Sequence, residues 1–336
     1  MTLPSGKVPI KVLENIIFKH LGTKRSEVIL GPRLGVDGAV VEVGEKALIT
    51  SMDPITGALD QIGWLAVNVN ANDIATFGVH PTLFTACMLL PHGTTEATIE
   101  TISKQMDLAA KKIEMAIIGG HCETTPGIAH PIIVGTAMGI TDKNHYVTSS
   151  GAKPGDRLIL TKGAAIEGTA ILATDKNELL QSRFSRAFLS RAAGFYRRIS
   201  VVEDALLAFR TEGVVAMHDP TEGGVAGGIQ EMADASKTGV NVIESQIPIE
   251  KETAEICEFF KIDPLQLVSS GALLIAAKQT SAERIVSTLQ KHEINASIIG
   301  EFLRNPATRD MVGADGVTKP LVRPVSDHLW KALKQA

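Results

Sequence analysis

The chain has 336 residues, 44% of them hydrophobic and 21% charged, with a net charge of −4. That length exceeds what one typical domain needs, so two domains with a large core are expected. Aromatic residues make up only 4%, and Lys and Arg form no block. Stacking platforms for single-stranded nucleic acid, basic nucleic-acid grooves and a membrane-surface role are therefore poorly supported.

In chain order, KVLENIIFKHLG (11–22) has apolar residues at helical spacing and ends on Gly22, a C-cap residue. GAVVEVG (38–44) and KALITSMD (46–53) read as paired strands around a Gly-Glu turn. Residues 60–77 are mostly apolar and long enough for a buried helix. TLFTACMLL (82–90) reads as a strand, and TEATIETISKQMDLAAKKI (95–113) as an amphipathic helix. MAIIGG (115–120) reads as a short buried strand and HPIIVGTAMGI (130–140) as another. Ser, Gly, Pro and charge cluster in TSSGAKPGDRL (148–158), which predicts a boundary between domains 1–150 and 151–336. Beyond it come a strand (157–163), a helix (165–175), two helices within 183–211 and a strand (214–219). A Gly-rich stretch opens a helix at 222–236, followed by a strand (271–277), a helix (281–293) and a strand (294–302). Hairpins and paired helices favour an α+β arrangement over a regular parallel array.

Cys87, Cys122 and Cys257 are widely spaced, so neither a disulfide framework nor a CxxC metal site is expected. They fit a reducing compartment. Cys122 reads as an inert buried thiol. MTLPSGKVPIK lacks the apolar stretch of a signal peptide, and no apolar run approaches the ~20 residues of a membrane span. A cytoplasmic protein is expected.

Four aspartates sit at the edges of elements: Asp37 in GVDGAV, Asp53 in TSMDP, Asp73 in NANDIA and Asp219 in MHDPTEGG. Such residues often form turns or helix caps, and the prolines after Asp53 and Asp219 invite that reading. Asp73 differs, because it lies inside the apolar helix. A lone buried carboxylate is costly and needs a cation, a metal or several donors. Asn68 and Asn72 share a helix face, so these polar residues could instead form a structural seam between helices. The Gly pairs at 119–120 and within EGGVAGG (222–228) let backbone approach a phosphate, although no P-loop is present. His121 and Glu123, at strand spacing, would project to one side.

Taken in order, GVDGAV, TSMDP, NANDIATFGVHP, GGHCETTP and MHDPTEGG resemble the ATP-dependent superfamily of aminoimidazole ribonucleotide synthetase (PurM). That superfamily also holds thiamine-monophosphate kinase, selenophosphate synthetase and the hydrogenase-maturation protein HypE. The resemblance spans residues 10–325 and is strongest to the HypE-like branch. It implies a two-domain α+β subunit whose N-terminal domain forms a dimeric β-barrel flanked by helices. The C-terminal domain would be an α/β sandwich that completes the phosphate and substrate site. It implies a homodimer that binds ATP and Mg2+, the metal on Asp37, Asp53 and Asp73. These three and Asp219 would be the catalytic set. Asn72, Gly119, Gly120, His121, Glu123, Thr221, Gly223 and Gly224 would hold the nucleotide.

Some positions depart from the family pattern. His121 stands where an Asp commonly follows the Gly pair, and Glu123 could supply the carboxylate. Glu222 replaces the usual Arg of DPTRGG. HypE acts through a C-terminal cysteine, and this chain ends SDHLWKALKQA, so its cysteine dehydration is not expected by that route. The resulting expectation is an ATP- and Mg2+-dependent enzyme that phosphorylates an amide, carbonyl or phosphate oxygen on an unidentified small-molecule or protein-bound substrate. The alternatives are a non-catalytic ATP-binding regulator or assembly partner, and a metal-dependent hydrolase using His121 and Glu123.

Overall fold

The computed structural model describes every residue except 1, 2, 4, 5, 34, 58 and 336. The ends of the MTLPSGKVPIK and SDHLWKALKQA stretches therefore lie outside the described residues. Six strands build a first sheet: β1 (Val28–Leu30), β2 (Ala39–Val43), β3 (Lys46–Ile55), β4 (Pro81–Leu90), β5 (Ala116–Thr124) and β6 (Ile132–Asp142). Their order is β1-β2-β3-β6-β4-β5, antiparallel except for the β4–β5 pair. Helices α1 (Ile10–Asn15), α2 (Ile62–Ala75) and α3 (Glu96–Lys112) accompany it.

Helix α2 is apolar on nearly every side, and such a helix must be enclosed. All its described residues except Trp64 are buried, against β3 and β6 on one side and α3 on another. Two glycines of β6 permit this approach. The side chains of Asn70 and Ile74, one turn apart, occupy the space that a Cβ on Gly135 and Gly139 would take. Helix α3 starts where Thr95 Oγ1 accepts the Thr98 N–H, and it buries Ile102, Met106 and Ala109.

The second sheet holds β7 (Arg157–Thr161), β8 (Val214–His218), β9 (Gly239–Ile243), β10 (Leu274–Ala277), β11 (Ala296–Leu303), β12 (Arg309–Val312) and β13 (Thr318–Pro320). Its order is β13-β12-β9-β11-β7-β10-β8, with only β9 and β12 parallel. Helices α4 (Ile166–Asp175), α5 (Asn177–Leu180), α6 (Arg186–Ala193), α7 (Val202–Arg210), α8 (Gly224–Ala235), α9 (Lys251–Phe260), α10 (Ala282–Lys291) and α11 (His328–Leu333) complete the chain. Alternate residues of β7 and β10 enter two different cores. Ile159 and Ile275 join a core that runs through α4, α7 and α10 and on into α2. Leu160 and Leu274 join a core beneath α8. The second sheet is thus covered on both faces, and the fold is a two-domain α+β arrangement.

Several expectations are corrected. The helix predicted over 11–22 stops at Asn15 and is followed by a short 3-10 turn (Ile17–Lys19). Ile16 and Ile17 are exposed, so no buried apolar face sustains a longer helix. The strand predicted as short and buried at 115–120 is β5, which runs to Thr124 and is exposed at all nine positions. It forms the edge of its sheet, and an apolar run does not reveal whether a neighbour lies on its outer side. Cys122, on this strand, is exposed rather than buried. No helix among the described residues is long and apolar enough to cross a membrane.

Candidate functional site

The four aspartates come from separated parts of the chain and converge between the domains. Asp37 precedes β2, Asp53 lies within β3, Asp73 lies on α2 and Asp219 directly follows β8. Asp53 is therefore no turn former, despite the proline after it. Its backbone is held by Asn70, whose Oδ1 accepts the Asp53 N–H (2.8 Å) and whose Nδ2 donates to the Asp53 carbonyl (3.2 Å). Ser51 donates to Asp73 Oδ2 (2.7 Å) and reaches the carbonyl of Asp37.

The electrostatics show what the cluster lacks. Burial raises the Asp73 carboxyl well above the carboxylate range, and Asp53, Asp219 and Asp37 push it further. Burial also raises Asp53; Lys7 opposes this and Asp37 adds to it. Asp219 is pushed up to about 8 by burial and Asp37, against the pull of His218 and Lys7. It is 1% exposed, and neither carboxylate oxygen has a hydrogen-bond partner among the described residues. Carboxylates so crowded ionise together only when a cation joins them.

Two residues beside Asp219 complete a bridge across the domains. His218, also buried, places Nδ1 2.8 Å from Asp37 Oδ2 and Nε2 3.0 Å from Glu231 Oε2 on α8. Burial opposes a charge on His218, but Asp37 and Glu231 outweigh it and raise the imidazole well above its ordinary range. Burial likewise opposes ionisation of Glu231, yet His218 and Lys7 hold it down at about 2. Sequence reasoning missed all three of Lys7, His218 and Glu231. His218 lay inside a quoted motif. Glu231 follows Gly224 by seven positions, two turns along α8, so the Gly-rich helix start and this carboxylate share a face.

A groove of about 800 Å³ opens over this bridge, lined by Lys7, Asp37, Glu222, Gly223, Glu231 and Asp327 among others. Glu222 ties the N-terminal segment across it. Its carboxylate accepts the Lys7 backbone N–H (3.0 Å) and the Trp330 indole N–H (3.2 Å). Lys7 Nζ donates to Thr221 Oγ1 (3.2 Å). Burial works against the Lys7 ammonium, but Glu231, Asp53, Asp37 and Asp73 raise its affinity for the proton above the usual value.

Other predicted site residues are placed differently. The N–H groups of Gly223 and Gly224 are already engaged, by Asp327 Oδ2 (2.7 Å) and the Thr221 carbonyl (3.0 Å). Asn72 gives both ends of its amide to the second domain: Nδ2 donates to the Ile199 carbonyl (2.9 Å) and Oδ1 accepts the Val201 N–H (2.8 Å). Of the two asparagines expected to form a seam, Asn72 alone joins α2 to the second domain, because Asn68 Nδ2 donates to the Trp64 carbonyl of its own helix (2.9 Å), while Asp73 turns to the cluster. Gly119, Gly120, His121 and Glu123 do not join it in the single chain. Asp53, Gly135, Ala86 and Gly120 lie in one cross-strand row. Three strand spacings therefore separate the row's ends, roughly 14 Å. His121 Nε2 and Glu123 Oε2 do share a side, 3.0 Å apart on the exposed edge. Bonds from His121 and Thr125 hold the Glu123 carboxyl below its usual value.

A mixed α+β subunit with acids gathered between two domains defines a class that sequence comparison identifies. Residues 35–141 match the N-terminal and residues 153–312 the C-terminal domain of AIR synthase related proteins. The chain belongs to this superfamily, and it is similar to HypE-like hydrogenase maturation proteins. A Methanocaldococcus jannaschii protein named for hydrogenase expression or formation is 29% identical over 304 residues, 88% of each chain. The carbamoyl dehydratase HypE of Rhizobium leguminosarum bv. viciae is 29% identical over 280 residues, 81% of this chain and 78% of that one. The crystal structure of HypE in complex with ATP superposes with a TM-score of 0.74 at 20% identity, covering 97% and 98% of the two chains.

Proposed function

We propose that this chain is an ATP- and Mg2+-dependent enzyme that activates an amide, carbonyl or phosphate oxygen by phosphoryl transfer. The observation that carries the reading is Asp219, which lies beside Asp37, Asp53 and Asp73 and whose two buried oxygens have no hydrogen-bond partner among the described residues. Hard oxygen donors of this kind suit Mg2+, so these four aspartates would hold it. When bound, the metal would let carboxylates and polyphosphate share one site by neutralising both. Asn70 fixes the strand that carries Asp53, and Ser51 orients Asp73. Lys7 brings a positive charge to the groove, where it can meet a phosphate oxygen. Catalysis would rest on positioning and electrostatics. The ATP-bound HypE structure supports nucleotide binding by this fold.

The N-terminal unit, 1–150, would bind metal and nucleotide, and 151–336 would complete the substrate side. The exposed β5 edge, with Ile117 and Ile118 at 43% and 55% exposure, would pair with a second copy of the chain. Such pairing could bring His121 and Glu123 to a nucleotide. A second reading, an ATP-binding regulator or assembly partner without turnover, is favoured by one observation. The Gly223 N–H is committed to Asp327 rather than free for phosphate.

The test is a thermal-shift titration with ATP, with and without Mg2+, on the wild type and Asp73→Asn. Magnesium-dependent stabilisation that the variant loses is the expected outcome. An equal shift in both proteins would refute the metal assignment. Stoichiometric binding without ADP release across candidate acceptors would select the regulator.

A further inference from the structure

We propose that Asp37, His218 and Asp219 form a site for one divalent transition-metal ion of the Mn2+, Fe2+, Co2+ or Zn2+ class. Glu231 is the positioning residue that orients its imidazole. This rests on the reading above only in placing a cation beside Asp37 and Asp219. It adds a nitrogen ligand and with it a different class of metal.

Geometry carries the argument. One atom from each of the three side chains lies within 4.8 Å of the others. His218 Nδ1 and Asp37 Oδ2 stand 2.8 Å apart. Two donors on adjacent octahedral positions, each about 2.1 Å from an ion, stand roughly 3.0 Å apart, so this pair has a chelating bite. The ion would take the place of the proton that Nδ1 otherwise shares with Asp37.

An independent observation points to a ligand at the same place. Asp219 belongs to this trio, is 1% exposed, and has no hydrogen-bond partner on either oxygen among the described residues. A third concerns the far side of the ring, where Nε2 meets Glu231 Oε2 at 3.0 Å. A ligating histidine characteristically gives its second N–H to a carboxylate, which fixes the tautomer and strengthens the bond to the metal. Imidazole in the donor set favours transition metals, whereas Mg2+ favours oxygen alone. Three protein ligands leave positions open for water or a phosphate oxygen.

The test uses the full chain, free of nucleotide, with Mn2+ as the probe and electron spin echo spectroscopy as the readout. One Mn2+ per chain showing modulation from a directly bound nitrogen is expected. His218→Gln should abolish that modulation and weaken binding at least tenfold. Glu231→Gln should keep it while weakening binding by roughly 10–100-fold. His292→Gln, which removes an exposed imidazole at the end of α10, should keep it. Wild-type Mn2+ without nitrogen modulation, or modulation surviving in His218→Gln, would overturn the site. If His218→Gln does not fold, the wild-type spectrum and Glu231→Gln decide. The ATP titration above reads out separately. A nitrogen signal with no ATP response sustains this site and removes the ATP reading, and an ATP response with no nitrogen signal does the reverse.

Discussion

Asp219 and Glu231 face the same histidine environment yet are driven in opposite directions, and pH separates their effects. The folded Asp219 holds its proton up to about 8, against an ordinary value of 3.8. Its native state therefore binds more protons than the unfolded chain between those values, and its contribution to stability falls as pH rises through that window. Asp73 acts in the same sense. The raised His218 adds stability that is full below the ordinary histidine range and is lost as pH climbs through its folded value. Glu231, lowered to about 2 from 4.5, contributes stability above 4.5 that is lost as pH falls toward 2. Thermal midpoints measured in chelator should therefore decline from mildly acidic to alkaline pH. Asp219→Asn should make the decline shallower by a few degrees. An unchanged slope in that variant would contradict the assignment. All four aspartates were legible in the sequence, because an acid inside or beside an apolar element is conspicuous. His218 was legible but passed over. Lys7 was not, since only the tertiary structure lays residue 7 over residues 37 and 231.

At the scale of elements, α2 shows what periodicity can and cannot give. Its apolar character announced a buried helix, and 3.6-residue spacing sorted its asparagines by face. Nothing in the spacing revealed that Asn70 grips β3 while Asn72 grips the segment at 199–201. Those partners lie 17 and 127–129 residues away in sequence. Asn72→Ala would leave the Ile199 carbonyl and the Val201 N–H buried without partners, at roughly 1–3 kcal/mol for each. Urea denaturation should register that loss while Asp73 and its neighbours stay in place. A stability change within error of zero would mean that this segment finds other partners. Helix α1 teaches the complementary lesson. Helical spacing continued to Gly22, but the residues after Asn15 have no surface against which to bury their apolar side chains.

Over the whole molecule, the α+β class followed from hairpins and helices read along the chain. The strand order did not, because β3 lies beside β6 and β7 lies between β10 and β11 through pairings remote in sequence. The same order leaves β5 at an edge, with its outer row of backbone donors and acceptors uncovered. If two copies close that edge against each other, stability becomes a property of the solution as well as of the chain. The folded dimer is then favoured by mass action, and its melting temperature should rise with protein concentration. Ile118→Lys, a charge set into the apolar outer edge, should flatten that dependence. A melting temperature independent of dilution in the wild type would mean that β5 remains open. A chain that does close this edge will lose stability as it is diluted, so its behaviour at trace levels will differ from that of the concentrated preparation.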